Sequence, residues 1–197
     1  VVELMQQKVV ELPLDTQVLL GRAACAGHTF ALSELAVLSG CPTSLVARDL
    51  HPALLAGLVV PLDGHYREAH ALATSSNTVE ATYRFLHDRV QQAFYERIDP
   101  EQRTRTHLLL GRRLQKAFDR EGGSNQKLLE FVRHLNLGAA VLVTEAERFD
   151  LARLDLQAAK AAKVNGSYRL QASLVEQAQA LKSFDGGGDR GRRGSRS

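Results

Sequence analysis

The chain has 197 residues, 44% of them hydrophobic and 24% charged, with no tryptophan. That is enough for one large or two small globular domains with an aliphatic core suited to helix packing. The net charge of +3 is local. The last twelve residues carry four arginines against one aspartate, which accounts for the whole excess and leaves residues 1–185 balanced at 21 basic and 21 acidic. A nucleic-acid-binding domain carries its own basic surplus, and the body of this chain has none.

Cys25 and Cys41 stand in a chain with no apolar run of about 18 residues. They are expected to be reduced thiols in a cytoplasmic protein. The opening Val-Val-Glu-Leu, without an initiator methionine, reads as a piece whose start lies upstream.

Taken in order, Val2, Met5, Val9 and Leu12 have helical spacing, and Pro13 stops that helix. Asp15 reads as the N-cap of the next, which runs through Val18, Leu19, Leu20 and Ala23 to Gly27. Ser33 is the expected cap of a helix ending at Gly40, and Pro42-Thr43-Ser44 starts a third that ends at Gly57. Leu58 to Leu62 is a strand, Asp63-Gly64 a turn, and His65-Tyr66-Arg67 a segment able to pair back across it. The small, polar stretch 69–80 reads as a wing loop, and Tyr83-Arg84-Phe85-Leu86 as the closing strand. Three helices followed by strands is the order of a winged helix.

From residue 88 onward the periodicity is helical. Asp88 is the expected cap of the first helix. Asp99-Pro100 places a cap before proline at the first helical position. The stripe Leu108, Leu109, Leu114, Phe118 ends at Gly122-Gly123, and Ser124 or Asn125 caps the next helix. Thr144-Glu145-Ala146-Glu147 fits a capping box opening a helix to Val164. Asn165-Gly166-Ser167 breaks the chain before a last helix with Leu170, Leu174, Ala178 and Leu181. Ala158-Ala159-Lys160-Ala161-Ala162 lets a neighbour approach closely. The expected fold is mainly α: a winged-helix domain with a small β-wing (1–86), then an α-solenoid of TPR-like helix pairs (87–185). No motif recurs at a fixed period. The Gly/Arg/Ser tail 186–197 is expected to be disordered.

Chemistry-bearing motifs are few. There is no phosphate-binding Gly-x-x-x-x-Gly-Lys-Ser/Thr loop and no nucleophile elbow. Cys25, His28, Cys41 and His51 match no paired zinc-ligand spacing. No catalytic residue, metal ligand or cofactor of its own is assigned to the chain. The third helix offers only Arg48, Asp49 and His51 for reading DNA, which speaks against DNA as a partner. His87 and Asp88 remain. They are either a structural corner, with Asp88 capping and His87 filling, or a phosphate sensor, since a histidine there can donate to a nucleotide phosphate held by a neighbouring domain.

The stretch Tyr83-Arg84-Phe85-Leu86-His87-Asp88-Arg89-Val90-Gln91-Gln92-Ala93-Phe94-Tyr95 resembles a signature of large bacterial signalling proteins. These carry an AAA-like ATPase of the STAND class, often between an N-terminal serine/threonine-kinase-like domain and C-terminal GAF and sensor histidine-kinase domains. Residues 12–17 with 23–27 resemble the helix leaving the ATPase core, and 49–54 with 57–62 the winged-helix end. Residues 131–136 with Gly138, then 154–163, resemble the first solenoid helices, so the likeness spans most of residues 1–183. It implies a non-catalytic regulatory and interaction fragment that couples nucleotide state to a helical partner-binding region. His87 and Asp88 would stand where a Met-His-Asp-like motif meets bound ADP. ATP or ADP with Mg would sit in an ATPase domain of the same polypeptide, and a protein partner or inducer would sit on the solenoid. Because the family continues through more helices, the switch to Gly-Arg-Ser after Asp185 reads as a truncated or partial product. Two alternatives remain open: a winged-helix DNA-binding transcription regulator with a helical effector domain, and a plain helical scaffold.

Overall fold

The computed structural model describes residues 2–64 and 81–183. The paired segment 65–67, the wing loop 69–80 and the tail 186–197 expected above lie outside the described residues. The protein is mainly helical with one small three-stranded antiparallel sheet. It divides into two compact units, 1–106 and 107–197.

The first unit contains α1 (Val2–Glu11), α2 (Leu14–Ala26), β1 (Thr29–Ala31), α3 (Leu32–Ser39), α4 (Thr43–Leu55), β2 (Val59–Pro61), β3 (Thr82–Phe85) and α5 (Asp88–Arg97). The strand order is β1-β3-β2, with Phe30 opposite Tyr83 and Val59 opposite Phe85. Alternation along β3 turns Tyr83 and Phe85 inward and Arg84 outward. Phe30 packs on Phe85 at 5.4 Å between ring centroids, and Phe85 on Phe94 of α5 at 6.3 Å. Leu20, Leu32, Leu35, Leu50, Val90 and Phe94 complete this core. Helix α5, assigned above to the solenoid, thus buries Val90 and Phe94 in the first unit.

Strand β1 is not expected from the sequence, which shows only Phe30 there. Three residues cannot hold a strand locally; its partner is β3, some fifty residues on, with the Phe85 amide donating to the His28 carbonyl at 3.0 Å. Two expected caps are also corrected. Helix α2 begins at Leu14 behind Pro13, so Asp15 lies in its first turn, where a carboxylate still favours the helix dipole. Helix α3 begins at Leu32 straight off β1, and the Leu32 amide donates to the Ala81 carbonyl at 2.8 Å, so Ser33 is inside the helix.

Helix α6 (Pro100–Glu121) straddles the division between units, and Asp99 Oδ1 accepts from the amides of Glu101 and Gln102, as its spacing predicts. The second unit continues with α7 (Asn125–Leu137), a 3-10 turn (Ala139–Val141), α8 (Glu145–Val164) and α9 (Tyr168–Ser183). Ser124 caps α7 through the Lys127 amide. The core joins Leu108, Phe131, Val132, Leu135, Leu151 and Leu174 to the small face Ala158, Ala159 and Ala162 of α8. The run of alanines lets α8 meet its neighbours closely, as expected.

The Thr144–Glu147 capping box forms in full: Thr144 Oγ1 accepts from the Glu147 amide, and Glu147 Oε2 accepts from the Thr144 amide. These bonds hold the Glu147 carboxyl below its ordinary range. Thr144→Ala is expected to cost about 1 kcal/mol, read as a lower denaturation midpoint. A midpoint equal to that of the parent protein would show the cap to be redundant.

Candidate functional site

Strand β3 hands the chain to α5 over two residues. The Leu86 amide donates to the Leu58 carbonyl at 2.9 Å, tying the end of β3 to the approach of β2. His87 is extended (φ −143°, ψ 149°) and is itself the N-cap residue. Its carbonyl accepts from the Val90 and Gln91 amides, which starts the helix. Gln91 Nε2 then donates to the Ala24 carbonyl at 3.1 Å and ties α5 to α2. The backbone of this corner is therefore held from three sides, while the His87 and Asp88 side chains are exposed.

Asp88 does not cap the helix, contrary to the sequence expectation. Among the described residues no side chain caps α5, and Asp88 is its first helical residue. Its Oδ1 lies 3.1 Å from Nδ1 of His28, in the short α2–β1 connection. The geometry explains the difference: with His87 as the residue entering the helix, the aspartate has turned outward and meets the histidine that β3 pairing brings alongside. His28 is a site residue that sequence reading placed only among possible zinc ligands. Asp88 is 93% exposed, so this contact is screened and adds little to stability. The corner thus offers two imidazoles and the amide-bearing start of a helix, a setting that accepts anions, with one carboxylate set against them.

The other sequence candidates separate. Cys25 is buried, its thiol pushed up to about 12 by burial, with Arg103 opposing. Cys41 is half-buried and donates to the Ser39 carbonyl. Among the described residues, no three histidine, cysteine or acidic side chains gather to hold a metal. On α4, Arg48 pairs with the adjacent Asp49 at 2.9 Å, while Thr16 of α2 donates to the Asp49 carbonyl. The exposed face keeps Arg48, His51 and Leu55, too little to read base edges.

Two buried polar pairs in the second unit escaped the sequence reading. His107 and His134 are 2% and 3% exposed, with their Nδ1 atoms 3.0 Å apart, so one nitrogen donates and the other accepts. Burial, then the Arg133 charge, lowers His134 to about 4. Asp155 is fully buried; Asn136 donates to its Oδ1 at 2.6 Å, and its Oδ2 has no hydrogen-bond partner among the described residues. Burial raises its carboxyl to about 6, against the opposing Asn136 bond. The available signal was a polar residue set inside an apolar stripe, as at His134 between Val132 and Leu135, a pattern that does not reveal its partner.

Comparison with known protein families, curated proteins and solved structures found no match to this chain.

Proposed function

We propose that this chain is a non-catalytic regulatory and interaction segment of a STAND-type ATPase signalling protein of the cytoplasm. In this reading the first unit is a winged helix, with α3 and α4 as its helical pair and the β1-β3-β2 sheet carrying the wing. The second unit opens a TPR-like solenoid that takes a protein partner or inducer. An ATPase domain of the same polypeptide holds ATP or ADP with Mg, and His87 reports on its phosphates.

The observation that carries the reading is the His87 corner. A rigid backbone presents an exposed imidazole at an anion-favouring helix start, and its own helix does not use that side chain as a cap. A residue kept for folding alone would be expected to cap or to pack. His28 occupies Asp88, which leaves the two side chains of the motif with separate tasks.

The test is ADP retention in the polypeptide that includes the nucleotide domain. A hydrogen bond to a charged phosphate contributes about 1.5–3 kcal/mol, so His87→Ala is expected to weaken ADP retention by about 10- to 100-fold and to raise basal signalling. Unchanged ADP occupancy with unchanged signalling would remove the sensor role.

A further inference from the structure

In the second unit, α7 and α9 both pack on α8 and leave a trough between them. It consists of two open cavities, of about 510 and 540 Å³, that share Asn136 and Gln177 in their linings. One end is apolar through Leu129, Leu170 and Leu174, and the other through Ala139, Ala180 and Leu181. The amides of Asn136 and Gln177 therefore stand midway along a leucine- and alanine-lined channel.

The hydrogen bonding of Asn136 decides what this channel can hold. Its Nδ2 is used twice, donating to the Val132 carbonyl at 3.2 Å and to the buried Asp155 at 2.6 Å. The second bond pins the orientation of the amide, because Asp155 Oδ1 accepts and cannot trade places with a donor. Asn136 Oδ1 is left as an acceptor on a residue that lines both cavities, and no donor among the described residues meets it. An occupant must bring an N–H or O–H to that level while covering apolar walls on both sides.

Charge adds a second demand. The charged residues lining the trough are Glu130, Arg133 and Arg148, a net of one positive charge, and Arg133 makes no ion pair or hydrogen bond among the described residues. Length adds a third. Along α9 the lining runs from Leu170 to Leu181, a span of about 16 Å that equals about five residues of extended chain. A helix laid there would have its mid-span main-chain amides committed to its own carbonyls and could meet Asn136 only through a side chain, whereas an extended chain offers a main-chain amide at any position.

We infer that the α7–α9 trough binds an extended, apolar peptide segment of a partner protein. One of its main-chain amides donates to Asn136 Oδ1, and an acidic side chain is placed at Arg133. This deepens the partner-binding half of the proposed function and rests on it. Recognition would rest on one main-chain hydrogen bond that sets the register, burial of apolar side chains on the leucine and alanine walls, and the charge contact at Arg133.

The test uses the full 197-residue chain and fluorescein-labelled synthetic hexapeptides, apolar at alternate positions with one aspartate. Fluorescence anisotropy is expected to show saturable binding, weakened at least about tenfold when lysine replaces the aspartate. Arg133→Glu is expected to reverse that preference. N-methylation of the central peptide amides is expected to abolish binding, since it removes the donor to Asn136. Ser173 is exposed on the trough wall, so Ser173→Trp is expected to block binding while leaving the circular dichroism spectrum unchanged. Absence of saturable binding, or binding indifferent to Ser173→Trp or to N-methylation, would overturn the inference. The probe needs no nucleotide domain, so its failure is distinguishable from a negative ADP result at His87.

Discussion

Asp155→Asn is expected to stabilise the helices of the second unit at pH 7 by on the order of 1–3 kcal/mol, and to lose that advantage below about pH 4. The carboxyl sits at about 6 in the fold against an ordinary 3.8. The folded state therefore favours the protonated acid. Below 3.8 both states are protonated and nothing is lost; as pH rises through 6 the folded protein must ionise a buried group with an unpartnered oxygen, and stability falls. Asparagine mimics the protonated acid and still accepts from Asn136, so it escapes that cost. Urea midpoints at pH 4 and pH 7 measure it. A gain of the same size at both values would mean that packing, not ionisation, sets the effect.

His134 supplies the opposite slope. It stands at about 4 in the fold against an ordinary 6.5, so the folded state favours the neutral ring. Stability from this residue is complete above 6.5 and falls as the pH drops toward 4. The two groups thus titrate across nearly the same interval with opposite signs, and their contributions offset in the parent protein. Asp155→Asn unmasks the histidine: the variant should lose stability on acidification from 6.5 to 4. His134→Gln should show the reverse slope on a lower baseline, since it also breaks the bond to His107. Parallel pH profiles for the two variants would contradict this assignment.

The second large effect lies where α6 crosses α7. A Cβ on Gly138 would stand 2.6 Å from the Leu108 amide nitrogen, and one on Gly111 would stand 2.8 Å from that of Leu135. Both contacts are with backbone, so no side-chain rotation relieves them. Gly138→Ala is expected to cost about 1–3 kcal/mol. Gly111 is the sharper case, because it lies inside a helix where Gly→Ala normally gains up to about 1 kcal/mol. Overpacking of about 1–3 kcal/mol exceeds that gain, so Gly111→Ala is expected to be a net loss. A unit of this size shifts its melting temperature by about 4–8 °C per kcal/mol, well within the reach of thermal circular dichroism. A raised melting temperature in Gly111→Ala would show that the helices separate there at little cost.

Local signals were the legible ones. The Thr144–Glu147 box, the Asp99 cap and Ser124 are satisfied within four residues of chain, so their chemistry can be read without knowing the fold. Ser33 and Asp88 failed for one reason. Each sits where a strand enters a helix, and there tertiary bonding, from Ala81 in one case and His28 in the other, displaced the local capping rule. Which core α5 joins could not be read locally, because Val90 and Phe94 carry the same helical period whether they face a solenoid or a sheet.

The amino-acid sequence by itself determined the helical character, most helix ends, β2 and β3, the charge neutrality of residues 1–185 and the singling out of His87. Those depend on composition, period and contacts within a turn or two. Only the tertiary structure decided that β3 lies at the centre of the sheet, that His28 meets Asp88, that two histidines share a buried contact, and that Asn136 donates to a buried Asp155. Each of those joins residues about nineteen to sixty positions apart, and a pattern of period 2 or 3.6 says which face a residue takes but not what it meets there.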